Sequence, residues 1–541
     1  MAWVAQITGY DIVNAAAKTL RFSLGSGIAF IDQPYCPGGM TRWMSATQKI
    51  NFDNNGQVTT TSDTGELAIT NLPDDVYSGG ALDAVLEWAW QGREATLWWA
   101  PTNVWADALL MARGTLEQPV GNLAVGSGDT SSISFPIRDP RNALIAPLQT
   151  TKFGGTNVQP DGVDGSADLK GQPQPVMYGL VSNIPGVVVN SQKLIWKIAD
   201  VAVLIVCVRD GSLPITPLVQ RANTASLEAN IPPPGFYDWV ADATGTYVRL
   251  GATPQARLTF DGAEGGSAAN RTHAQIWSRI RQQRCGTASG NLSIGTTDTD
   301  APNQAGFWWD SAIDQRSALD QVLASLSGYE VQDSAGVWHL AQVKAPTAAA
   351  DINLMRITET SMIKVADRPI INLSRVRPNY APNGAPPYRV NVNWGLNYTV
   401  MSQADFLGAA QQRLIDKFSK QWRVETANDV TIWDPDASTG LFPNAPELTI
   451  NTGYQPGSDN LTSPHAAAEA TRLLALYSGL KAHYQASFSP EPGDFILPGD
   501  IVSLTFPGFG LSTGPKFLVL QSGLEVVQRR ATASLVIGFQ N

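Results

Sequence analysis

The residue types that carry most enzyme chemistry are few in this chain and poorly spaced for it. There are four histidines, His273, His339, His465 and His483, and three cysteines, Cys36, Cys207 and Cys285. A serine or cysteine nucleophile needs a base within hydrogen-bond reach and a group that orients the base. Nothing local brings a cysteine to a histidine. His465 and His483 are expected on one helix about five turns apart, too far to share a metal. The cysteines form neither Cys-x-x-Cys nor a Cys/His ligand spacing. Cys285 follows Arg281 and Arg284, which could lower a thiol pKa; an arginine-rich helix end is the plainer reading. Carboxylate pairs suited to glycoside hydrolysis are present at Asp74–Asp75, Asp298–Asp300 and Asp434–Asp436. Their Asn, Pro, Thr and Ser neighbours read as turns, and Asp298–Asp300 lacks the rest of a calcium loop. Gly154-Gly155 and Gly262–Gly266 do not match a phosphate-binding loop. Sixteen Trp include the close pairs Trp88/Trp90, Trp98/Trp99 and Trp308/Trp309. These could stack on sugars, but core and interface packing is the reading taken. No catalytic set, no metal and no cofactor is expected.

Composition narrows the class further. At 541 residues and roughly 150 per domain, three or four domains are expected. Hydrophobic residues make up 43% and charged residues only 16%, against roughly 25% charged in a typical soluble domain. Disorder as the main state is excluded, because disordered chains are apolar-poor and charge-rich. Low charge is expected where surface meets other subunits. The net charge is −10, and residues 1–150 hold 14 Asp/Glu against 8 Lys/Arg. Without a basic cluster, nucleic-acid affinity is not expected. The scattered cysteines suit a reducing cytoplasm; Cys207, in the apolar run Val201–Val208, reads as core. No signal peptide is expected, and the longest apolar run, eight residues, is short of the ~20 that span a bilayer as a helix.

The elements that must carry any site are mostly strands. The 48 Gly and 35 Pro suit many short strands and turns. Glu66–Thr70, Ala95–Ala100, Ser131–Ile137, Val176–Leu180, Gly186–Val189, Leu194–Val208 and Tyr247–Leu250 read as strands. Apolar spacing predicts helices over Gly80–Trp90, 272–284, Asp310–Leu326 and Ala466–Gln485, the last capped by Ser463 and opened by Pro464. A hairpin is expected at Tyr329–Gln332 and Val337–Ala341. Three strands are expected at Ile501–Phe506, Lys516–Val527 and Ala531–Phe539. Residues 80–139 and 464–540 each read helix, strand, strand, strand, which suggests two related β units flanking a middle insert. The Gly/Pro-rich stretch 152–174 reads as an extended arm able to reach a neighbouring subunit, or as a linker.

One set of motifs is specific in its order. Gly65-Glu-Leu-Ala-Ile-Thr-Asn71, Gly92-Arg93 and Gly114–Pro119 precede Arg138-Asp139-Pro-Arg141 and Phe153-Gly-Gly-Thr-Asn157. Gly162–Gly165, Leu169-Lys-Gly-Gln-Pro-Gln-Pro-Val-Met-Tyr-Gly179 and Val208–Gly211 follow, and Leu497-Pro-Gly-Asp-Ile-Val502 stands near the end. Together these resemble the baseplate (tail-tip) hub proteins of long non-contractile-tailed bacteriophages and gene transfer agents.

The resemblance implies a mainly β, multidomain chain with a few helices. Two tail-tube-like β-barrel or sandwich units would flank a mixed α/β middle. The divisions expected are 1–150, a first tube-like β domain; 151–265, the Gly/Pro arm plus a β domain; 266–345, a small α/β domain; and 346–541, a second tube-like β domain with one long helix. It implies a structural virion protein, not an enzyme, that joins a six-fold tail tube to a three-fold tip and gates the DNA channel. Expected partners are two further copies in a trimer, the distal tail protein, other tail-tip proteins, the tape measure protein, DNA in passage without specific binding, and the host envelope. The location expected is the virion tail tip, after synthesis in the host cytoplasm. The motif residues expected to carry assembly are Gly65, Glu66, Leu67, Asn71, Arg138, Asp139, Asn157, Lys170, Gly171, Pro173, Pro175, Tyr178 and Gly179. Some tail-tip proteins hold an iron–sulfur cluster through four cysteines; this chain lacks that set. The alternatives are a tail-borne receptor- or carbohydrate-binding protein and a tail-borne cell-wall hydrolase.

Overall fold

The computed structural model describes the chain except residues 1, 45–46, 54, 63–64, 72–81, 123–130, 139, 159, 357–363, 365–366, 379–383, 409–411, 456–460, 479–480, 492–493, 528–529 and 541. The architecture is mainly β with a few helices. The strands of the first ring are β1 (Ala2–Asp11), β2 (Ala16–Leu24), β3 (Gly38–Met44), β4 (Gly65–Asn71), β5 (Glu94–Ala100), β6 (Leu109–Leu116), β7 (Val120–Asn122) and β8 (Ser131–Arg138), with a further hairpin, Gln48–Phe52 and Val58–Ser62, between β3 and β4. They pair in the ring β1–β2–β3–β4–β8–β6–β5–β1, with β7 continuing β6 along β8. The ring closes, so this unit is a barrel. Alternate residues of β4 and β8 point inward: Leu67, Ile69, Ile133, Phe135 and Ile137 are buried, together with Trp43, Trp90 and Leu97.

A second ring closes at the other end of the chain. Its strands are β9 (Ile352–Met355), β10 (Asp367–Val376), β11 (His483–Phe488), β12 (Ile501–Thr505), β13 (Lys516–Val527) and β14 (Arg530–Gly538). The order is β9–β10–β11–β14–β13–β12–β9. Its interior holds Leu354, Phe488, Val502, Leu504, Leu535 and Ile537.

The two rings have one topology. β2, β3, β4, β5, β6–β7 and β8 correspond in chain order to β9, β10, β11, β12, β13 and β14. Each shared neighbour pair also has the same direction: β2–β3 and β9–β10 are parallel, and the pairs that follow are antiparallel. β1 is the one addition, inserted between β2 and β5. The irregularities repeat as well. Thr41 bulges out of the β3–β4 register, and Ile371 out of the β10–β11 register. Before β5, Gly92 donates to the Leu116 carbonyl (3.0 Å) and Leu116 to that of Arg93 (2.7 Å); before β12, Gly499 donates to Val519 (2.8 Å) and Val519 to Asp500 (2.9 Å). Both glycines have positive φ, +77° and +101°, which a side chain disfavours.

The expected echo of two β units therefore holds as strand order, but not as drawn. The helix expected at Gly80–Trp90 is a short 3-10 turn, Asp83–Glu87, and lies after β4. The C-terminal helix lies before β11, at Pro464–Tyr477. The two helical segments are thus not equivalents. The rest of the chain forms a nine-stranded sheet of strands from Val176 to Ala263 with Gly306–Trp309, two smaller sheets, and helices α1 (His273–Gln283), α2 (Gln315–Leu326) and α3 (Pro464–Tyr477), with one small sheet and α3 inserted between β10 and β11. α1 is capped by Thr272, whose side chain accepts from Gln275 N, and buries Ile276, Trp277 and Ile280 as expected. α2 starts at Gln315 rather than Asp310, because Trp308–Trp309 belongs to a strand and Asp314 provides the cap. α3 ends at Tyr477, so His465 and His483 share no helix; His483 begins β11. The run Leu194–Val208 divides into two strands, Ile195–Ala199 and Leu204–Asp210.

Candidate assembly site

The motif residues fall in two groups. In the first barrel, Gly65 opens β4 opposite Ile137. Leu67 is fully buried in the core. Asn71 donates to Asp83 Oδ1 (2.6 Å) and accepts from Leu82 N (2.9 Å), which fixes the chain entering the short turn. Glu66 faces outward, bonded to Arg42 Nη1 (2.8 Å) and Ser134 Oγ (2.9 Å). Arg138 ends β8 in an ion pair with Glu117 (2.6 Å). Asp139 lies outside the described residues.

The second group lies between Asn157 and Gly179. Asn157 donates to the Val189 carbonyl (2.7 Å) and accepts from Asp164 N (2.8 Å). Tyr178 is buried; its hydroxyl donates to Gln283 (3.0 Å) and accepts from Arg284 Nε (3.1 Å). Burial raises its pKa against the opposing pull of Arg284. Gly179 has φ +76°, its N–H donates to Glu264 Oε2 (3.0 Å), and a Cβ there would stand 2.1 Å from the Ala305 carbonyl oxygen. Among the described residues, no hydrogen bond or ion pair links the two groups.

The stretch 152–174 is a folded loop and not an extended arm. Gly171, at φ +80°, turns the chain back. Gly171 N donates to the Phe153 carbonyl (2.8 Å), Phe153 N to that of Gln172 (2.9 Å), and Gln174 N to that of Thr151 (3.0 Å), while Lys152 bridges Pro173. The cause is apolar: Phe153 is 2% exposed and packs on Val189, Ile195, Leu227 and Tyr247. Pro175 is buried and its carbonyl accepts from Asp200 N (2.8 Å), while Lys170 stays exposed. The buried Lys197 amine ties down the loop's end by donating to Gln174 Oε1 (2.6 Å); burial lowers its pKa to about 8.

Three features escaped the sequence reading. The first is the junction of the barrels, where β3 pairs antiparallel with β13 through Arg42–Val527, Trp43–Val526 and Met44–Glu525. Arg42 bridges Glu66 and Glu525 (3.4 Å) across it. The second is a buried charge cluster. Glu330, fully buried, binds Arg141 Nε (2.7 Å), Arg281 Nη2 (2.5 Å) and Trp277 Nε1 (2.6 Å). Arg141 also donates to the Thr60 carbonyl (2.5 Å) and pairs with Asp320. Burial alone would raise the Glu330 pKa; Arg281 and Arg141 outweigh it and hold the carboxyl at about 2. Arg141 ends the motif Arg138–Arg141, but its distant partner left no trace in spacing. The third is an exposed apolar hairpin. Leu204, Val206, Leu213, Leu218 and Val219 are 38–62% exposed. The run Val201–Val208 is thus not simply core, and Cys207 is half-buried.

The expected chemistry-bearing groups are dispersed. His273 is fully buried against Ser325 Oγ (2.5 Å), and burial lowers its pKa to about 3. His483 is lowered to about 4 by burial. Cys285 is pushed up to about 11, burial outweighing the nearby Arg281. Asp298 and Asp300 sit in a short helix, accepting from Gln275 Nε2 (2.5 Å) and Thr296 Oγ1 (2.7 Å) respectively, while Asp434 caps a turn by accepting from Asp436 N (3.0 Å). Asp74–Asp75 lies outside the described residues. Trp308 and Trp309 are buried, with their indole N–H groups bound to the Ile198 carbonyl (3.0 Å) and Gln321 (2.9 Å). Among the described residues, no three His, Cys, Asp or Glu side chains gather as a metal site.

No family model matches the sequence, and no curated protein matches it. Among solved structures, the chain is similar to the 43 kDa tail protein of prophage MuSo2 from Shewanella oneidensis (10% identity, 99% of this chain and 96% of that one, TM-score 0.43). It is also similar to a tail protein from Neisseria meningitidis MC58 (9% identity, 99% and 96%, TM-score 0.40). A type VI secretion system component of E. coli is a further neighbour (7% identity, 92% and 73%, TM-score 0.36).

Proposed function

We propose that this chain is a baseplate (tail-tip) hub protein of a long non-contractile tail. The observation that carries the reading is the pair of closed barrels with one strand order and one set of strand directions. A tube with six-fold symmetry needs six equivalent contact units. Three copies of a two-barrel chain supply six, while the rest of each copy keeps three-fold symmetry for the tip. The motif order described above supports the same reading. So does the exposed apolar hairpin, since contiguous exposed apolar surface marks interaction sites. On this reading the trimer meets the distal tail protein, the tape measure protein and other tail-tip proteins, and gates the channel through which DNA leaves. On this reading the net negative charge of residues 1–150 lies towards that channel, where it keeps DNA from adhering.

The carbohydrate-binding alternative relied on Trp308 and Trp309 as stacking faces, and both are buried. The test is the solution mass of the purified full-length chain by light scattering. Three times the 58.0 kDa chain mass is expected, and a monomer at tens of micromolar overturns the reading.

A further inference from the structure

The repeat predicts a contact that one chain cannot make by itself. Within the chain, β3 leaves its β2 partner after Met40, and its freed edge is taken by β13. The equivalent of β3 is β10, and the equivalent of the β13 segment is β7. β10 likewise leaves β9, pairing with it only through Asp367–Pro369. From Ile370 to Val376 its partner among the described residues is β11 alone. Ile371, at the bulge matching Thr41, is 53% exposed. Among the described residues β7 pairs only with β8, and Val120 is 59% exposed. Among the described residues, two strand edges are therefore open at the two positions whose counterparts are joined inside the chain. Open edges of this kind invite pairing with another chain.

We propose that β10 of one copy pairs antiparallel with β7 of the next, repeating the β3–β13 junction across the subunit boundary. This rests on the hub reading and adds the surface and the register. The register follows from the matched bulges. Met44 corresponds to Ser374 through the β4 and β11 pairings. Glu525 corresponds to Asn122 through the β8 and β14 pairings. β6–β7 and β13 even share a one-residue irregularity, four residues from Leu116 to Val120 and from Val519 to Gly523 against three on the partner strand. The pair Met44–Glu525 thus becomes Ser374–Asn122 between copies, followed by Arg375–Gly121 and Val376–Val120. Such a contact is head-to-tail, and head-to-tail contacts close into rings when the rotation allows.

The chemistry changes at the copied junction. Arg42, Glu66 and Glu525 form the charged bridge inside the chain. Their counterparts are Asn372, Gln485 and Asn122, all neutral amides. The contact between copies is therefore built on backbone pairing, without a copy of the Arg42–Glu66–Glu525 bridge.

The test uses two double-cysteine variants of the full chain, Val120→Cys with Val376→Cys, and Gly121→Cys with Arg375→Cys. Adjacent cross-strand pairs alternate between hydrogen-bonded and non-hydrogen-bonded positions, so one variant presents the closer pair. Mild oxidation followed by non-reducing electrophoresis is expected to give a covalent dimer and trimer ladder. The four single variants control for Cys36, Cys207 and Cys285 and are expected to give none. A trimeric mass with no ladder from either double variant overturns the proposed contact and leaves the hub reading standing. A fast-migrating monomer, crosslinked within the chain, overturns the contact as well. A monomeric mass for the unmodified chain overturns both.

Discussion

Glu330 holds together parts of the chain that lie far apart in sequence, and its replacement by Gln tests whether charge or shape does so. The carboxylate is fully buried and meets two guanidinium groups, Arg141 and Arg281, at 2.7 and 2.5 Å. Glu330→Gln keeps the size and an acceptor oxygen but removes the shared anion of two buried cations, of which Arg141 keeps its ion pair with Asp320. Breaking a buried pair in this way costs about 3–5 kcal/mol. The pKa gives a second route to the magnitude. A carboxyl held at about 2 instead of 4.5, at about 1.4 kcal/mol per tenfold, is worth about 3 kcal/mol. Because the folded-state pKa is depressed, this stability is fully present above pH 4.5 and is lost as pH falls from there towards 2. Urea unfolding followed by tryptophan fluorescence is the assay, since Trp277 donates to the same carboxylate at 2.6 Å. At pH 7 the variant's transition is expected about 3–5 kcal/mol below that of the parent chain. Near pH 2.5 the two are expected to approach each other. A difference under about 0.5 kcal/mol at pH 7, or an equal difference at both pH values, refutes the electrostatic account.

Two further outcomes follow from the repeat and the loop. Gly92→Ala is expected to cost roughly 1 kcal/mol from its positive φ alone, because nothing stands within 4 Å of the new Cβ. Gly499→Ala at the equivalent turn is expected to cost roughly 1–3 kcal/mol more, because the Tyr329 hydroxyl would lie 2.0 Å away; thermal unfolding of both variants measures the contrast. Phe153→Ala is expected to cost about 3–5 kcal/mol locally and to expose residues 152–174 to limited proteolysis, and unchanged protease resistance would count against the buried anchor.

Legibility in the sequence followed the range of the interaction. Strands with alternating burial were legible: Glu66–Thr70 and Ser131–Ile137 lie within observed strands; Lys516–Val527, whose burial does not alternate, also has the expected bounds. α1 was also clear, because Thr272 caps it and its apolar residues share one face. The helix expected at Gly80–Trp90 shrank to a 3-10 turn. There Asn71 binds Leu82 N from outside the segment, and Trp90 buries itself in the barrel, its indole N–H on the Val85 carbonyl at 2.8 Å. Spacing sees neither contact. The repeat was sensed but misaligned for a related reason. Linear order sets a helix and three strands side by side, whereas the rings are matched through which strands pair. The loop 152–174 was misjudged because Pro and Gly content describes backbone stiffness and says nothing of where Phe153 is buried.

The low charge content looks different once the charges are located. A 16% share already leaves a thinly charged surface, and several of those groups are not on the surface at all. Arg141, Arg281 and Glu330 are buried together. Asp238 is buried in its pair with Arg221, and Arg209 with Asp261. Lys197 and Arg249 are buried on neutral acceptors, Gln174 and the Leu227 carbonyl. What remains outside is poorer in charge than the composition implies. It also carries apolar groups such as Leu204, Val206, Val120 and Ile371. A free monomer gains from charge that keeps it soluble, so a surface of this kind costs it something. In the trimer proposed above, subunit burial would offset that cost, and the two strand edges left open among the described residues lie where the proposed contact puts it.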